Sequence, residues 1–419
     1  PLLGKLGDMY GHRRIFLLGF LGATVVAALT ATAGSVFTLI GYRTLAAVLG
    51  GATQPTSMAL IMGVYEPERR VRAMGWWSMT TAAAPALGLI AGGPLVEWLG
   101  WRVVFVLQAV LSALALGLAA LVLRETPGQR VRFDLAGATT LAVAVAGFMF
   151  AVGRIRDLGL ASPWIGGALA LSFVAGGLFV RIERATAAPL LPLAFFQERR
   201  FTAPIVSNAF MSSAYMGAFV MAPFVLLDVF GFSITTTSAI MLMRTLSLTL
   251  SSPVGGSLGL RIGERGAAAT GCAVLTVGLG AMAWAVGAHS LIGVGIALVL
   301  QGVGHGLAVP SLTSTISNAV PERDLGIASA ANRLTAQAGA SFGITLLALV
   351  YGGAATESAL AWAFLAGAGL SALSFAAAVA MPVLHPAPVS PDTDTGRTDG
   401  DGRAPSRSAQ SPRPSPSSQ

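Results

Sequence analysis

The stretch "GKLGDMYGHR" runs from Gly4 to Arg13, and it recurs 252 residues later as "GSLGLRIGER", from Gly256 to Arg265. The two copies share three glycines, a leucine and an arginine at equivalent positions. Further on, a proline is repeated, and then "EPERR" recurs as "VPERD", in the same order and at nearly the same offset. Parallel repeats of this size predict a chain built from two similar halves.

The composition is that of a membrane protein. Of the 419 residues, 54% are hydrophobic and 11% are charged, whereas a soluble domain has about 25% charged residues. The formal charge of +8 would suggest a nucleic-acid partner in a soluble protein, but membrane proteins concentrate Arg and Lys in cytoplasmic loops. We therefore expect no nucleic-acid partner. The single cysteine argues against a disulfide framework, and no metal cluster or enzymatic nucleophile–base pair stands out.

Apolar runs predict twelve membrane spans. A helix needs roughly 20 apolar residues to cross the hydrocarbon core, and backbone groups in lipid must bond within their own segment. The predicted fold is therefore an all-α membrane bundle with two repeated halves and two extra central helices. The predicted spans are residues 15–33, 36–63, 73–96, 103–123, 135–152, 164–180, 203–227, 234–258, 267–286, 291–317, 326–350 and 358–381.

The basic residues predict the orientation. With the opening turn placed in the cytoplasm, most Lys and Arg fall in inner loops, and only Arg102, Arg154 and Arg156 fall in outer ones. The positive-inside rule then predicts that the opening turn and the tail are both cytoplasmic, in a cell membrane. Residues 382–419 are rich in Pro, Ser, Thr, Asp and Gly, which is typical of a disordered tail.

The two copies of the turn differ in what precedes them. Two apolar spans precede the second copy, whereas only three residues precede the first. Symmetry therefore predicts two further spans upstream and a complete protein of fourteen. The predicted segments are 1–123 for the first half, 124–202 for the inserted spans, 203–381 for the second half and 382–419 for the tail.

The opening turn resembles the signature loop between the second and third spans of the major facilitator superfamily. Fourteen spans with two inserted centrally are similar to its drug:proton antiporter branch. Four further stretches also resemble that branch: "GWR" at 100–102, "RFDLAGA" at 132–138, "APLLPLAFFQERRF" at 188–201 and "GIASAANR" at 326–333. The resemblance covers about residues 4–381. It implies a proton-driven multidrug efflux transporter, with no cofactor, whose halves rock about a central cavity.

The resemblance implies that the turn is a gate that locks one access state. Asp8 can face the positive N-terminus of a helix, while nearby arginines face carboxylates or anionic lipid. The alternative is a solvated turn whose basic residues only orient the protein. The second copy has Leu260 at the Asp8 position, so there we expect shape without the switch. The gating candidates are Gly4, Asp8, Gly11, Arg13, Arg14, Gly256, Arg261, Gly263 and Arg265.

A second group of candidates lies inside the spans, where a charge tends to be functional. In the family, an Arg at the position of Arg43 precedes a Gln-Gly pair and is linked to proton transfer. Here Ala46 and Ala47 stand in place of that pair, which appears instead in the other half at Gln301. Arg43 could alternatively extend to the outer interface. Arg244 and Arg333 either meet a substrate anion or bind backbone carbonyls, and His305 either titrates or packs.

A third signature concerns close helix packing. The family's exporters carry Gly-Pro followed two residues later by Gly-Gly, which the sequence matches at Gly88, Gly92 and Gly93, with Leu89 in place of the proline. Small residues allow helices to approach closely in membranes. Gly302 and Gly304 belong to the same class of candidate.

The acidic residues leave the coupling group undefined. All Asp and Glu fall in loops, at span ends or in the tail, whereas proton coupling usually requires a membrane-embedded carboxylate. The family places one in its first span. The leading hypothesis is a monomeric, proton-driven exporter of drugs or other amphipathic small molecules. The alternatives are an exporter of an endogenous metabolite, such as an antibiotic, siderophore or amino acid, and a membrane sensor or remnant that does not transport.

Overall fold

The structure is a computed structural model in which every element of secondary structure among the described residues is helical. The described residues are 6–7, 9–64, 84, 87–88, 90–125, 135–159, 161–186, 193–321, 325–352 and 356–382.

Eleven long helices are bounded within these residues. They are α1 (His12–Ala31), α2 (Val36–Gly50), α3 (Thr53–Val64), α4 (Trp101–Val122), α5 (Leu135–Leu158), α6 (Pro163–Ala185), α7 (Arg199–Phe224), α8 (Ile234–Gly287), α9 (Leu291–Asn318), α10 (Leu325–Tyr351) and α11 (Glu357–Val379). Residues 90–99 are also helical, a short 3₁₀ helix (Leu193–Gln197) precedes α7, and a π-helical turn (Val225–Val229) extends it.

In the described part of the chain the predicted spans coincide with these helices, apart from one break, and most of the predicted span 73–96 lies outside the described residues. The predicted span 36–63 is broken at residues 51–52, which separate α2 from α3. The predicted spans 234–258 and 267–286 correspond to the two limbs of α8, which are two helices joined at a kink, since Gly263 between them is not helical. In the described part of the chain, ten helical stretches are long and apolar enough to cross a membrane, and α8 has the length of two crossings.

Several helices begin at side-chain caps. Ser35 and Thr38 form a reciprocal capping box at the start of α2, and Ser233 accepts a hydrogen bond of 3.2 Å from the backbone N–H of Thr236 at the start of α8. Such caps satisfy N–H groups that have no partner within the helix. α1 and the second limb of α8 begin instead at glycines that leave the helical conformation.

The largest buried core lies in the second half of the chain. α9 packs between the two limbs of α8, α7 packs against α10 and α11, and α11 also packs against α8. Met211, Leu275, Leu298 and Phe364 are fully buried there. In the first half, α1 packs against α2, α3 and α4, while α5 packs against α6 and α10. Apolar side chains that remain exposed on the outer faces are those that a bilayer would cover.

Candidate functional site

Two glycines, 252 residues apart, give the two copies of the repeated turn the same backbone. Gly11 has φ 96° and ψ 130°, and Gly263 has φ 81° and ψ 154°. A side chain is strained at such positive φ, so glycine is needed at both. Gly256 has open space around it. Gly4 and Asp8, which were predicted to belong to the gate, lie outside the described residues.

The arginines of the first turn bind the end of α4. Arg13 donates from Nη2 to the carbonyl oxygen of Ala120 at 2.7 Å, and Arg14 Nε lies 3.4 Å from Glu125 Oε2. The last carbonyls of a helix carry partial negative charge, so a guanidinium at this position stabilises the α1–α4 pair. The structure therefore places Arg13 in a contact within the first half, whereas Arg14 contacts the start of the segment that follows it.

A second arginine makes the matching contact at the other end of the same helix pair. Arg102, at the start of α4, donates from Nη2 to the carbonyl oxygen of Ala33, just beyond the end of α1, at 3.0 Å. Its guanidinium also lies 4.4 Å from the ring centroid of Trp101. Each helix of this antiparallel pair thus ends on an arginine that the other helix supplies.

The second turn binds its neighbour through a carboxylate that sequence reasoning did not select. Glu264, directly after Gly263, accepts hydrogen bonds from Ser314, from Thr315 at 2.8 Å and from Asn318 at 3.2 Å. These three donors lie in the last turn and a half of α9. The sequence signal was the substitution of Glu264 for the histidine of the first copy, at the point where the repeat diverges.

The remaining residues of the second turn lie at its surface. Arg261 is exposed and Arg265 is half-buried, and neither forms an ion pair within the described part of the chain. Leu260, at the position of Asp8, is 91% exposed. The second copy therefore keeps the backbone of the first but anchors itself through Glu264.

A buried arginine lies at the centre of the second half. Arg244 is fully buried, ten residues into α8, or about 15 Å along the helix, near the middle of a bilayer. Its guanidinium carbon lies 3.7 Å from the ring centroid of Tyr215 and 5.1 Å from that of Phe219, and Nη2 donates to the Tyr215 carbonyl oxygen. The Tyr215 ring stacks on His305 with centroids 3.9 Å apart.

The contacts of Arg244 leave part of its hydrogen-bonding capacity unused. Nε and Nη1 are buried without a hydrogen-bond partner, as are both amide atoms of Gln301 in α9. No carboxylate lies within ion-pair distance of Arg244 among the described residues. A charge at the bilayer centre costs at least about 2.5–3.5 kcal/mol on insertion scales, and a cation–π contact returns about 2 kcal/mol. The site is therefore positively charged and incompletely satisfied.

Two predicted packing glycines bring α9 close to both limbs of α8. A Cβ on Gly302 would collide with the carbonyl oxygen of Arg244, and one on Gly304 would lie 2.7 Å from the carbonyl oxygen of Gly271. Real Cβ atoms do not approach this closely, so glycine is needed for the approach. The same packing fixes Gln301, the neighbour of Gly302, at a position that is fully buried.

The other predicted span arginines lie outside this cluster. Arg43 is exposed on α2, with its guanidinium 5.4 Å from the ring centroid of Phe105. Arg333 is exposed on α10, next to Asn332, whose side-chain oxygen accepts a hydrogen bond of 2.7 Å from Asn208. The structure thus brings Arg244 and His305 together on the Tyr215 ring, and Gln301 lies one helical turn before His305 on α9.

Of the three glycines in the third sequence signature, one packs against the second half of the chain. A Cβ on Gly93 would lie 2.7 Å from Ser238 Oγ and 3.2 Å from the Cα of Thr235, both in the first turns of α8. Around Gly88 and Gly92, a Cβ would meet no described atom within 4 Å. Gly93 therefore carries the close approach between residues 90–99 and α8.

Glu97, just after the predicted span 73–96, makes a second contact between residues 90–99 and the start of α8. Its Oε2 accepts a hydrogen bond of 2.9 Å from the backbone N–H of Thr235, at the start of α8. Hydrogen bonding with Thr235 lowers the pKa of the Glu97 carboxyl from its ordinary value of 4.5. A carboxylate also suits the positive end of a helix. Glu97 thus joins the two halves on the side opposite Gly11 and Gly263.

One acidic residue is buried where sequence reasoning expected a loop. Glu183 lies in the last turn of α6 and is 4% exposed. The predicted span ended at residue 180, so Glu183 was expected in the loop that follows, beside Arg181 and Arg184, which are both exposed. Among the described residues, no group of three or more His, Cys, Asp or Glu has the arrangement of a metal site.

Comparison with known proteins identifies the fold and the family. The family model described as "Major Facilitator Superfamily" matches residues 1–344. A crystal structure of the peptide transporter POT in complex with sulfate superimposes with a TM-score of 0.66 at 16% identity, covering 90% of this chain and 81% of that one. The human organic anion transporter MFSD10 gives a TM-score of 0.57 at 20% identity, covering 90% of this chain and 79% of that one.

Curated relatives align along most of the chain. The multidrug transporter protein MdtP of Bacillus subtilis is 28% identical over 353 residues, 84% of this chain and 65% of that protein. The tetracenomycin C resistance and export protein of Streptomyces glaucescens is 29% identical over 358 residues, 83% of this chain and 65% of that protein. The chain thus spans slightly less than two thirds of the length of these relatives.

Proposed function

The chain belongs to the major facilitator superfamily, and we propose that it is part of a secondary active transporter that exports drugs or other amphipathic small molecules. Its helices make it a multi-pass membrane protein. Transport proceeds by alternating access: the two halves rock about a central site and expose it to one side of the membrane at a time. Protons moving down their gradient supply the energy.

The observation that carries this proposal is the alignment along most of the chain with proteins named for multidrug transport and antibiotic export. The paired turns support it as well. Gly11 and Gly263 place the same backbone at equivalent points of two halves, as two rocking bodies require. The contacts of Arg13 and Arg102 stay within one half and would move with it as a unit.

The contact between Glu97 and Thr235 supports a specific access state. It joins the two halves on the side opposite Gly11. With the repeated turns placed in the cytoplasm, as the distribution of basic residues favours, this contact closes the outer side. The described arrangement then represents a state that is closed to the outside. The opening turn and the tail lie on the inner side of the cell membrane, and the transporter is a monomer.

The gate consists of the two repeated turns. Asp8 supplies the switch in the first copy, Arg13 and Arg14 anchor it, and Glu264 supplies a carboxylate anchor in the second. The route of substrate or protons is lined by Arg43, Arg244, Gln301, His305 and Arg333. The glycines that allow the helices to approach are Gly93, Gly302 and Gly304. The domain limits at residues 123, 202 and 381 separate the moving halves from the inserted spans and the tail.

Ethidium accumulation in cells that express the native gene product tests the proposal. Expressing cells should accumulate less ethidium than cells with an empty vector, and a proton uncoupler should abolish the difference. Asp8→Asn should abolish export at unchanged membrane levels. Equal accumulation with and without the gene, at verified membrane levels, would argue against drug export.

A second candidate function is export of a metabolite that the organism itself makes. The name of the Streptomyces relative, a resistance and export protein for tetracenomycin C, favours this candidate. Comparing the culture medium of strains with and without the gene by mass spectrometry separates the two functions, since only metabolite export changes the secreted compounds when no drug is added.

A further inference from the structure

We propose that the Arg244 cluster is a binding site for the carboxylate of an amphipathic organic anion. The cluster consists of Arg244, Tyr215, Phe219, His305 and Gln301. The inference rests on the proposed transport function for its access route, because Arg244 is fully covered in the described state and the anion reaches it only when the halves move.

The charge at this site has no counter-ion within the described protein. One guanidinium nitrogen, Nη2, donates to the Tyr215 carbonyl oxygen, which carries no net charge. The other two, Nε and Nη1, are buried and have no acceptor. A buried charge is ordinarily paired with an opposite charge. Because Arg244 has no such partner, it favours an anion over a neutral ligand.

The neighbouring groups match the rest of such a ligand. The Gln301 amide is fully buried with both its donor and its acceptor unused, so its N–H group can also donate to a carboxylate. The Tyr215 and Phe219 rings lie against the guanidinium, and His305 stacks on Tyr215, so the site offers aromatic surface to an aromatic body. Charge-assisted hydrogen bonds next to aromatic surface are the contacts that recognise an aromatic carboxylate.

Other basic residues of the spans do not offer the same environment. Arg43 and Arg333 are exposed on other helices. An exposed guanidinium can be solvated by its surroundings, whereas Arg244 is fully buried in the described protein. The cluster is therefore the place in the described chain where an organic anion gains most from binding.

Two probes of the same shape test the proposal on the purified native protein in nanodiscs: 2-naphthoate, which is anionic, and 2-naphthamide, which is neutral. Isothermal titration calorimetry should show that the protein binds 2-naphthoate at least about tenfold more tightly than 2-naphthamide, as expected for charge-assisted hydrogen bonds. Arg244→Gln should remove this preference, and Arg244→Lys should retain part of it. Arg181→Gln, which removes an exposed charge from α6, is the matched control and should bind like the native protein.

Equal binding of the two probes by the native protein would overturn the proposal, and so would a preference that survives in folded Arg244→Gln. If Arg244→Gln does not fold, as size-exclusion chromatography would reveal, the native protein and Gln301→Leu decide, since Gln301→Leu keeps the charge and should weaken only 2-naphthoate binding. Ethidium export without any preference for 2-naphthoate would reject the anion site alone. A preference that depends on Arg244, in a protein that exports neither drug nor metabolite, would reject the proposed function alone.

Discussion

Arg13 and Arg102 hold the same two antiparallel helices together from opposite ends. Arg13, at the start of α1, donates to a carbonyl in the last turn of α4, and Arg102, at the start of α4, donates to a carbonyl just beyond the end of α1. Both guanidinium groups meet the negative end of a helix dipole. Their relation makes α1 and α4 one rigid unit of the first half.

Removing either arginine should therefore lower the stability of that unit. Arg13→Ala and Arg102→Ala should each cost about 1–2 kcal/mol, from the lost charge-assisted hydrogen bond and the lost dipole contact. The two sites share no partner, so the double variant should show the sum of both effects. Thermal unfolding in detergent measures the changes. Arg154→Ala, which removes an exposed ion pair within one helix, should have little effect; an equally large effect there would contradict the dipole argument.

The backbone at the second turn predicts a difference between two glycines of the same motif. Gly263→Ala should destabilise the protein by about 1–2 kcal/mol, because φ there is 81°. Gly256→Ala should be neutral or slightly stabilising, because that residue is helical and a Cβ would meet nothing within 4 Å. Apparent melting temperatures of the two variants, measured side by side, check the prediction. A neutral Gly263→Ala would mean that the turn does not need its left-handed residue.

The carboxylate of the second turn predicts a local change in dynamics. Glu264→Gln should weaken the contacts to Ser314, Thr315 and Asn318, because an amide oxygen is a poorer acceptor than a carboxylate. The end of α9 should then exchange its backbone hydrogens faster, which mass spectrometry detects peptide by peptide. Glu198→Gln, an exposed acid near the start of α7, is the control and should leave α9 unchanged. An unchanged rate of hydrogen exchange in Glu264→Gln would show that the Glu264 contacts do not stabilise α9.

Features with a local physical cause could be predicted from the sequence. A membrane helix requires only a continuous apolar run, so the spans were found without tertiary information. The matching turns were found because a positive φ selects glycine, and the repeat displays it at Gly11 and again at Gly263. The break between α2 and α3 was not predicted, because residues 51–52 are as apolar as their surroundings.

Features that depend on partners far along the chain could not be predicted. Arg244 was selected as an intramembrane charge, but its position over Tyr215, 29 residues earlier, results from the packing of α7 against α8. Glu264 was not selected, because its donors lie some 50 residues later, at the end of α9. Glu183 was expected in a loop, because burial at the end of α6 is decided by neighbours and not by its basic flanks.

The contact between Glu97 and Thr235 predicts a dependence on pH with a definite sign. Because hydrogen bonding lowers the pKa of Glu97 below 4.5, the contact favours the ionised carboxyl. Its contribution is fully present above pH 4.5 and is lost as the pH falls through the lowered value. The difference in melting temperature between the native protein and Glu97→Gln should therefore be largest at neutral pH and should shrink below pH 4.5.

At pH 7, a cysteine introduced by Thr235→Cys should react faster with an impermeant maleimide in Glu97→Gln than in the native background, since the two halves separate more often. Asp157→Asn, which neutralises another exposed acid, should leave that rate unchanged. A difference in melting temperature that grows on acidification would contradict the role of the ionised form, and an unchanged labelling rate in Glu97→Gln would show that this contact does not hold the halves together.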